Sequence, residues 1–255
     1  MILYLAIMIA TMAILFWVAM LYMGLKFTGG VKFNGGVKVV GISPPAPAGF
    51  TEDWEDADWK DDWDGFYNPN TGNDDSAYWD RSSSNPHGGT YSGLYTHRNT
   101  SSIALKDLGA EISTAVVWCR FRANTGESYG LVFGGKWDGD NDFTGGGGAR
   151  FEGVGSTDAK VGVGYFNASG DFTYNDTSSD FTPTTETYYK LTVTWVKVST
   201  TTTVTATVKN AADATLGTSV YAFTDNSGWE TNFVLRAYAG ASYDIEYDDM
   251  GVTLA

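Results

Sequence analysis

The chain is short of cysteine, histidine, positive charge and catalytic signatures, and each shortage closes a route. Its single cysteine, Cys119, excludes an intramolecular disulfide framework and a cysteine-based zinc site. Cys119 alternates with Val117 and Phe121 in an apolar row, which predicts a buried core thiol. The two histidines, His87 and His97, stand in no metal-ligand spacing. Lysine and arginine number 16 against 30 acidic residues, giving a formal charge of −14 and a pI near 4.3. A field of that sign repels phosphate backbones and anionic headgroups, so no nucleic-acid partner is expected. No serine-centred elbow, P-loop or dinucleotide fingerprint occurs, and the run Gly145–Gly148 has no following lysine or helix signal. That run is expected to be flexible linkage.

Aromatic residues are plentiful: nine Trp, fifteen Tyr and fourteen Phe, 15% of the chain. With 31 Gly, many Thr and Ser and only 18% charged residues, the composition suits antiparallel strands and tight turns. The 255 residues could hold one large domain or two small ones, and a β-sandwich of about 200 residues is a common single-domain solution at this size.

Met1 to Leu25 carries no charged side chain. A helix of that length would span roughly 37 Å, enough to cross a hydrocarbon core of about 30 Å. Being apolar all round, it would have to lie in lipid or within a protein bundle. Ala6, Ala10 and Ala13 fall on one face and would allow close helix packing, predicting a homo-oligomer built through this segment. It lacks the basic leader, short apolar core and cleavage site of a signal peptide, so it is expected to be retained. The nearest positive charges, Lys26, Lys32 and Lys38, all follow it, which argues for a cytoplasmic C-terminal side against the otherwise exterior character. Removal of a basic leader or insertion into a virion membrane would each reconcile the two. Residues 26–42 contain the repeat GGVKF/GGVKV and form an expected β neck; 43–49, SPPAPAG, reads as a semi-rigid linker.

From Phe50 to Ala255 the pattern is strand and turn. Tyr189, Leu191, Val193 and Trp195 share one face of a strand that pairs with Val204, Ala206 and Val208 in an expected hairpin. Val117, Cys119 and Phe121 face inward with Arg120 and Arg122 outward; Phe233, Leu235 and Ala237 repeat the pattern. Strands are expected also around Leu131–Phe133 and Val161–Tyr165. Many short, half-polar strands predict a two-sheet sandwich.

The acidic-aromatic stretch FTEDWEDADWKDDWDGF, the segment Gly88-Gly89-Thr90-Tyr91-Ser92-Gly93-Leu94, YYKLTVTWV and the terminal YDIEYDDMGVTL together resemble the concanavalin A-like lectin/glucanase superfamily, specifically the laminin G-like jelly rolls. The resemblance covers about residues 50–255 and implies two curved antiparallel sheets with the last strand beside the first. It also implies that Asp248 and Asp249 match a terminal acidic pair whose role is often structural. The helix–neck–domain layout loosely resembles type IV pilins. Bacterial pilins usually carry an early Glu where this sequence has Leu5 and no early acid; archaeal pilins often lack it. The expected fold is mainly β, a jelly-roll β-sandwich preceded by one long hydrophobic N-terminal α-helix.

No catalytic residue is expected. Asp244, Glu246 and Asp248 share a strand face as glycosidase acids do, but they lie on the terminal strand and are expected to be a solvent-facing acidic row. Asp138, Asp140 and Asp142 alternate in a tight loop and could wrap Ca²⁺, although Phe143 stands where an EF-hand needs glycine. For carbohydrate, Trp137 with Asp138 and Asn141 is the first candidate platform, followed by Trp79, Tyr78 and Trp229. Trp54, Trp59 and Trp63 are expected in packing. Asn99, Asn167 and Asn175 open glycosylation sequons.

These observations predict a non-enzymatic surface protein, extracellular, whose helix packs in a filament core or membrane while the lectin-like domain meets glycans or neighbouring subunits. A virion membrane or spike protein for host attachment and a membrane-tethered glycan-active hydrolase are the alternatives.

Overall fold

The chain divides into two compact units, Met1–Ala46 and Pro47–Ala255. The structure, a computed structural model, describes residues 49–68, 71–96, 101–121, 128–137, 143–154, 158–166, 172–177, 181–182, 184, 187–224, 232–239 and 245–255.

These residues form fifteen strands. In chain order the first seven are β1 (Phe50–Glu52), β2 (Gly65–Tyr67), β3 (Trp79–Ser82), β4 (Ser92–Tyr95), β5 (Ser101–Asp107), β6 (Ile112–Phe121) and β7 (Ser128–Trp137). The next four are β8 (Phe143–Val154), β9 (Asp158–Phe166), β10 (Phe172–Thr177) and β11 (Thr187–Val198). The last four are β12 (Thr201–Lys209), β13 (Thr215–Thr224), β14 (Asn232–Ala239) and β15 (Ile245–Leu254). One antiparallel sheet runs β13-β12-β11-β6-β15-β4-β3, the other β10-β9-β8-β7-β14-β5-β2. The first strand lies beside the last, Phe50 opposite Val252.

Period-two alternation builds the core between the sheets. Tyr189, Leu191, Val193 and Trp195 of β11 are buried, as are Val204, Ala206 and Val208 of β12, the two strands joined at Ser199–Thr200. Each such side chain contributes roughly 1.5–3 kcal/mol when withdrawn from water. A run of rings fills one end of the core: Phe50 on Trp63 at 5.2 Å, Phe66 on Trp79 at 5.8 Å, Trp79 on Tyr95 at 5.4 Å. Trp54, Trp59 and Trp63 all belong to this core.

Two expectations are corrected here. Gly145–Gly148 is not linkage: it lies inside β8 and is buried. Trp195 Nε1 donates to the Gly147 carbonyl at 2.7 Å, and a Cβ on Gly147 would stand 2.7 Å from the Phe223 ring. The glycines leave room for aromatic rings that cross from the facing sheet.

The second correction concerns the helix. Among the described residues the helical elements are two 3₁₀ turns, Trp59–Asp62 and Ser76–Tyr78, and no helix is long and apolar enough to cross a membrane. The fold supported is therefore the mainly β sandwich, and no described residue supports a long helix ahead of it. Met1–Leu25, with Ala6, Ala10 and Ala13, and the neck at 26–42 lie outside the described residues. The pilin-like resemblance, the filament or membrane core, the virion alternative, the anchored location and oligomerisation through that helix all depended on it. They are withdrawn.

Candidate functional site

The outer face of the first sheet, turned away from the core, carries the chemistry. On β6, Val117 and Cys119 point inward, which turns Trp118 and Arg120 outward; on β15, Ile245 and Tyr247 point inward, which turns Glu246 and Asp248 outward. The register sets Glu246 opposite Arg120 and Asp248 opposite Trp118, with Tyr188 of β11 opposite Arg120 on its other side. Arg120 Nη1 meets Glu246 Oε2 at 2.6 Å, and the Tyr188 hydroxyl donates to the same oxygen at 3.2 Å. Arg120 is 4% and Glu246 5% exposed, and burial pushes the Tyr188 phenol above its ordinary range.

A β-bulge then breaks the alternation. Register passes from Asp248–Trp118 directly to Gly251–Val116, so β15 carries one extra residue. Asp249 absorbs it at φ 41°. A bulge of this kind re-aims side chains, and here it leaves two adjacent carboxylates beside one segment.

That segment is residues 83–91, a strap across the outer face. Asp248 Oδ2 accepts the backbone N–H of His87 at 2.6 Å and of Gly88 at 3.1 Å, and Oδ1 accepts that of Asp249 at 2.9 Å. Burial raises the Asp248 carboxyl to about 6, against the lowering pull of those three amides. Asp249 Oδ2 meets His87 Nδ1 at 2.6 Å. The His87 ring lies on Trp118 with centroids 3.9 Å apart and planes 20° from parallel. Farther along, Glu55 Oε1 accepts the amides of Thr90 at 2.6 Å and Tyr91 at 2.9 Å, and these two bonds hold its carboxyl below the usual range. Gly89 adopts φ +57° there, and any Cβ on it would strike the Glu55 carboxylate. Arg81 closes the group: its Nη1 donates to the carbonyls of Trp54, Glu55 and Asp56, and its guanidinium lies 4.3 Å over the Tyr91 ring.

Beside the strap lies a hollow of about 550 Å³ against Val116, Met250 and Gly251. Five of its nine lining residues are acidic, Glu52, Asp53, Asp56, Asp62 and Asp249, and none is basic. Glu52 is buried, accepting the Trp54 amide at 2.7 Å and Trp63 Nε1 at 3.0 Å. Burial pushes its carboxyl up to about 7, outweighing both hydrogen bonds, with Asp62 and Asp53 adding to the rise.

The residues singled out from sequence fall elsewhere. Trp79 is 1% exposed and donates to Ser102 Oγ at 2.8 Å, a core position no ligand reaches. Tyr78 packs partly buried against the same core. Trp137 ends β7 and Asn175 lies in β10, where only the backbone is described. Asp138, Asp140, Asn141, Asp142, Asn99, Asn167, Trp229 and Asp244 lie outside the described residues. The acidic row is corrected: Glu246 and Asp248 are buried, Glu246 against Arg120 and Tyr188 and Asp248 against the strap, instead of facing solvent. Sequence reasoning missed His87, Trp118, Arg120 and Tyr188. Alternation already put Arg120 outside, but nothing local shows that β6 pairs with β15 or that a strap covers both.

Set against known proteins, the chain finds a similar course only in solved structures. No family model matches it. No curated protein matches it. The lectin from Bauhinia forficata in complex with GalNAc is 9% identical, with 80% of this chain and 96% of that chain covered and a TM-score of 0.46. The Crh5 transglycosylase in complex with NAG is 16% identical over 82% and 84%, with a TM-score of 0.46. The VIP36 exoplasmic/lumenal domain, in a form bound to Ca²⁺ and Man3GlcNAc, is 13% identical over 70% and 84%, with a TM-score of 0.43. These are similarities of chain course, and the site is argued from this chain's own residues.

Proposed function

We propose that the sandwich is a carbohydrate-binding domain that holds its ligand without cleaving it, in the hollow beside Asp249. The observation that carries this is the hollow's lining. A volume of about 550 Å³ falls within the range of small-ligand sites, and its walls offer carboxylate acceptors with no cation. Neutral sugar hydroxyls donate to carboxylates, whereas phosphorylated or otherwise anionic ligands are repelled.

Two arrangements support the absence of cleavage. Glycoside hydrolysis needs two carboxyl groups that both reach the scissile bond. Glu246 is buried and occupied by Arg120 and Tyr188, and Asp248 is buried and occupied by three backbone amides. Calcium at Asp138, Asp140 and Asp142 belongs to the proposal on the sequence run alone. Calorimetric titration with CaCl₂ should show one site that is lost in Asp140→Asn, and no heat of binding would remove it.

The main test is calorimetry against neutral, N-acetylated and uronic oligosaccharides. The double variant D56N/D62N should bind a neutral ligand roughly tenfold or more weakly, as expected when charge-assisted hydrogen bonds are lost. A wild type inert across the panel would remove the carbohydrate reading. Reducing ends released by wild type but not by Glu246→Gln would remove the non-catalytic part.

A further inference from the structure

We propose that residues 83–91 occupy a second, covered part of the binding face as an internal stand-in for ligand, and that a longer ligand reaches it by lifting the strap. The inference rests on the carbohydrate reading and extends it from the open hollow to the ground beneath His87.

Burial on this face is unusual. Elsewhere on the same outer surface the side chains are open to water: Val196 is 57%, Val198 70% and Val220 48% exposed. Around the strap, Arg120, Tyr188, Glu246, Asp248 and Ser92 are all buried. These are polar groups, and a sheet face normally keeps such groups wet. The strap reaches three positions of this face directly: Asp248 by hydrogen bonds, and Trp118 and Tyr188 by the His87 ring.

The strap's contacts copy what a sugar would make. A flat ring, the His87 imidazole, lies on the Trp118 indole at 3.9 Å. Beside it two donors, the amides of His87 and Gly88, converge on one carboxylate oxygen of Asp248. A pyranose stacked on Trp118 with two hydroxyls toward Asp248 would satisfy the same groups. The ligand class is thus a neutral oligosaccharide, one unit in the hollow at Asp249 and the next over Trp118.

The strap is also held in a way that permits its departure. None of residues 83–90 is buried; they are tied by hydrogen bonds to Asp248, Asp249 and Glu55 and by the His87 ring on Trp118 and edge-on to Tyr188, while Tyr91 at the end packs against the core. Ser82 and Ser92, at its two ends, are buried and fix the hinge points. Segments with few buried apolar contacts open without global unfolding. A closed strap would lower apparent affinity by the fraction of time it stays shut, a penalty that loosening it removes.

The test compares wild type with His87→Ala, which removes the stack on Trp118 and the contact with Asp249. Calorimetry uses the same panel of neutral oligosaccharides, from one to four sugar units. The strap variant should bind the two-unit and longer ligands about tenfold more tightly, a gain well above any change it makes to single sugars through Asp249. Equal or weaker binding of the longer ligands overturns the inference while leaving the hollow intact. If neither protein binds any sugar, the carbohydrate reading falls, and amide exchange on the ligand-free full chain decides the strap alone. Amides of His87, Gly88, Thr90 and Tyr91 exchanging about a hundredfold faster than those of Trp118 and Glu246 beneath them would keep it as a moving element. Exchange in step with those strands would end it.

Discussion

The carboxylate of Asp248 and the backbone amide of His87 lie 2.6 Å apart although 161 positions separate them in the chain. This contact joins two distant segments of the sequence, the glycine pair after His87 and the acidic pair near the C-terminus. Each motif is half of one device. The glycines admit carboxylates close to the backbone, and the bulge at Asp249 brings the carboxylates to them.

Removing the acceptor should therefore cost more than a surface change. Asp248→Ala leaves the amides of His87, Gly88 and Asp249 without their carboxylate acceptor. A loss of about 1–3 kcal/mol is expected, since three partly buried donors lose a charged acceptor at once. Urea denaturation followed by tryptophan fluorescence measures it; an unchanged midpoint would show that water replaces the carboxylate freely.

The Arg120–Glu246 pair should behave as a buried ion pair. Glu246→Ala strands the guanidinium in a dry site and is expected to cost about 3–5 kcal/mol. Replacing both partners together, Arg120→Met with Glu246→Leu, should recover most of that loss. A double variant as unstable as the single one would show that Arg120 is held mainly by other contacts.

Stability should peak on the acid side of neutrality. Glu52 and Asp248 titrate near 7 and 6 in the folded chain, above their ordinary values of 4.5 and 3.8. The native state therefore binds more protons than the unfolded one across those windows, and stability falls as pH rises through them. Glu55 acts in the opposite sense: its carboxyl is lowered, so its contribution is present above 4.5 and fades as pH falls through its folded value. Thermal unfolding should give a higher Tm at pH 5 than at pH 8, and Glu52→Gln should flatten the upper part of that profile. A Tm that climbs steadily from pH 5 to pH 8 would contradict the assignment.

Gly147→Val tests the glycine run in β8. Its side chain would meet the Phe223 ring and the Gly164 carbonyl, which a Cβ would already approach to 2.7 and 2.9 Å. Overpacking of this kind typically costs about 1–3 kcal/mol. A neutral result by urea denaturation would return the run to the role of simple linkage.

Much of the sandwich was legible from residue order because strand patterning is local. Tyr189 to Trp195 and Val204 to Val208 announce their buried faces by alternation, and Cys119 is buried for the same reason. Alternation also grouped Glu246 with Asp248 correctly on one face. It could not say what lies over that face, because the strap comes from a segment some 160 residues away, and so the pair looked solvated. The glycines of β8 misled for a related reason: their use depends on rings of another sheet.

By itself, then, the sequence determined the β class, the aromatic core, the acidic field and which side of each strand is apolar, since these follow from side-chain chemistry at a period of two. The tertiary structure alone decided that β6 and β15 are neighbours, that a bulge turns Asp249 toward His87, and that one strap lies across Trp118 and Asp248. Strand partners and covering loops are set by packing between distant segments, and no local spacing encodes them.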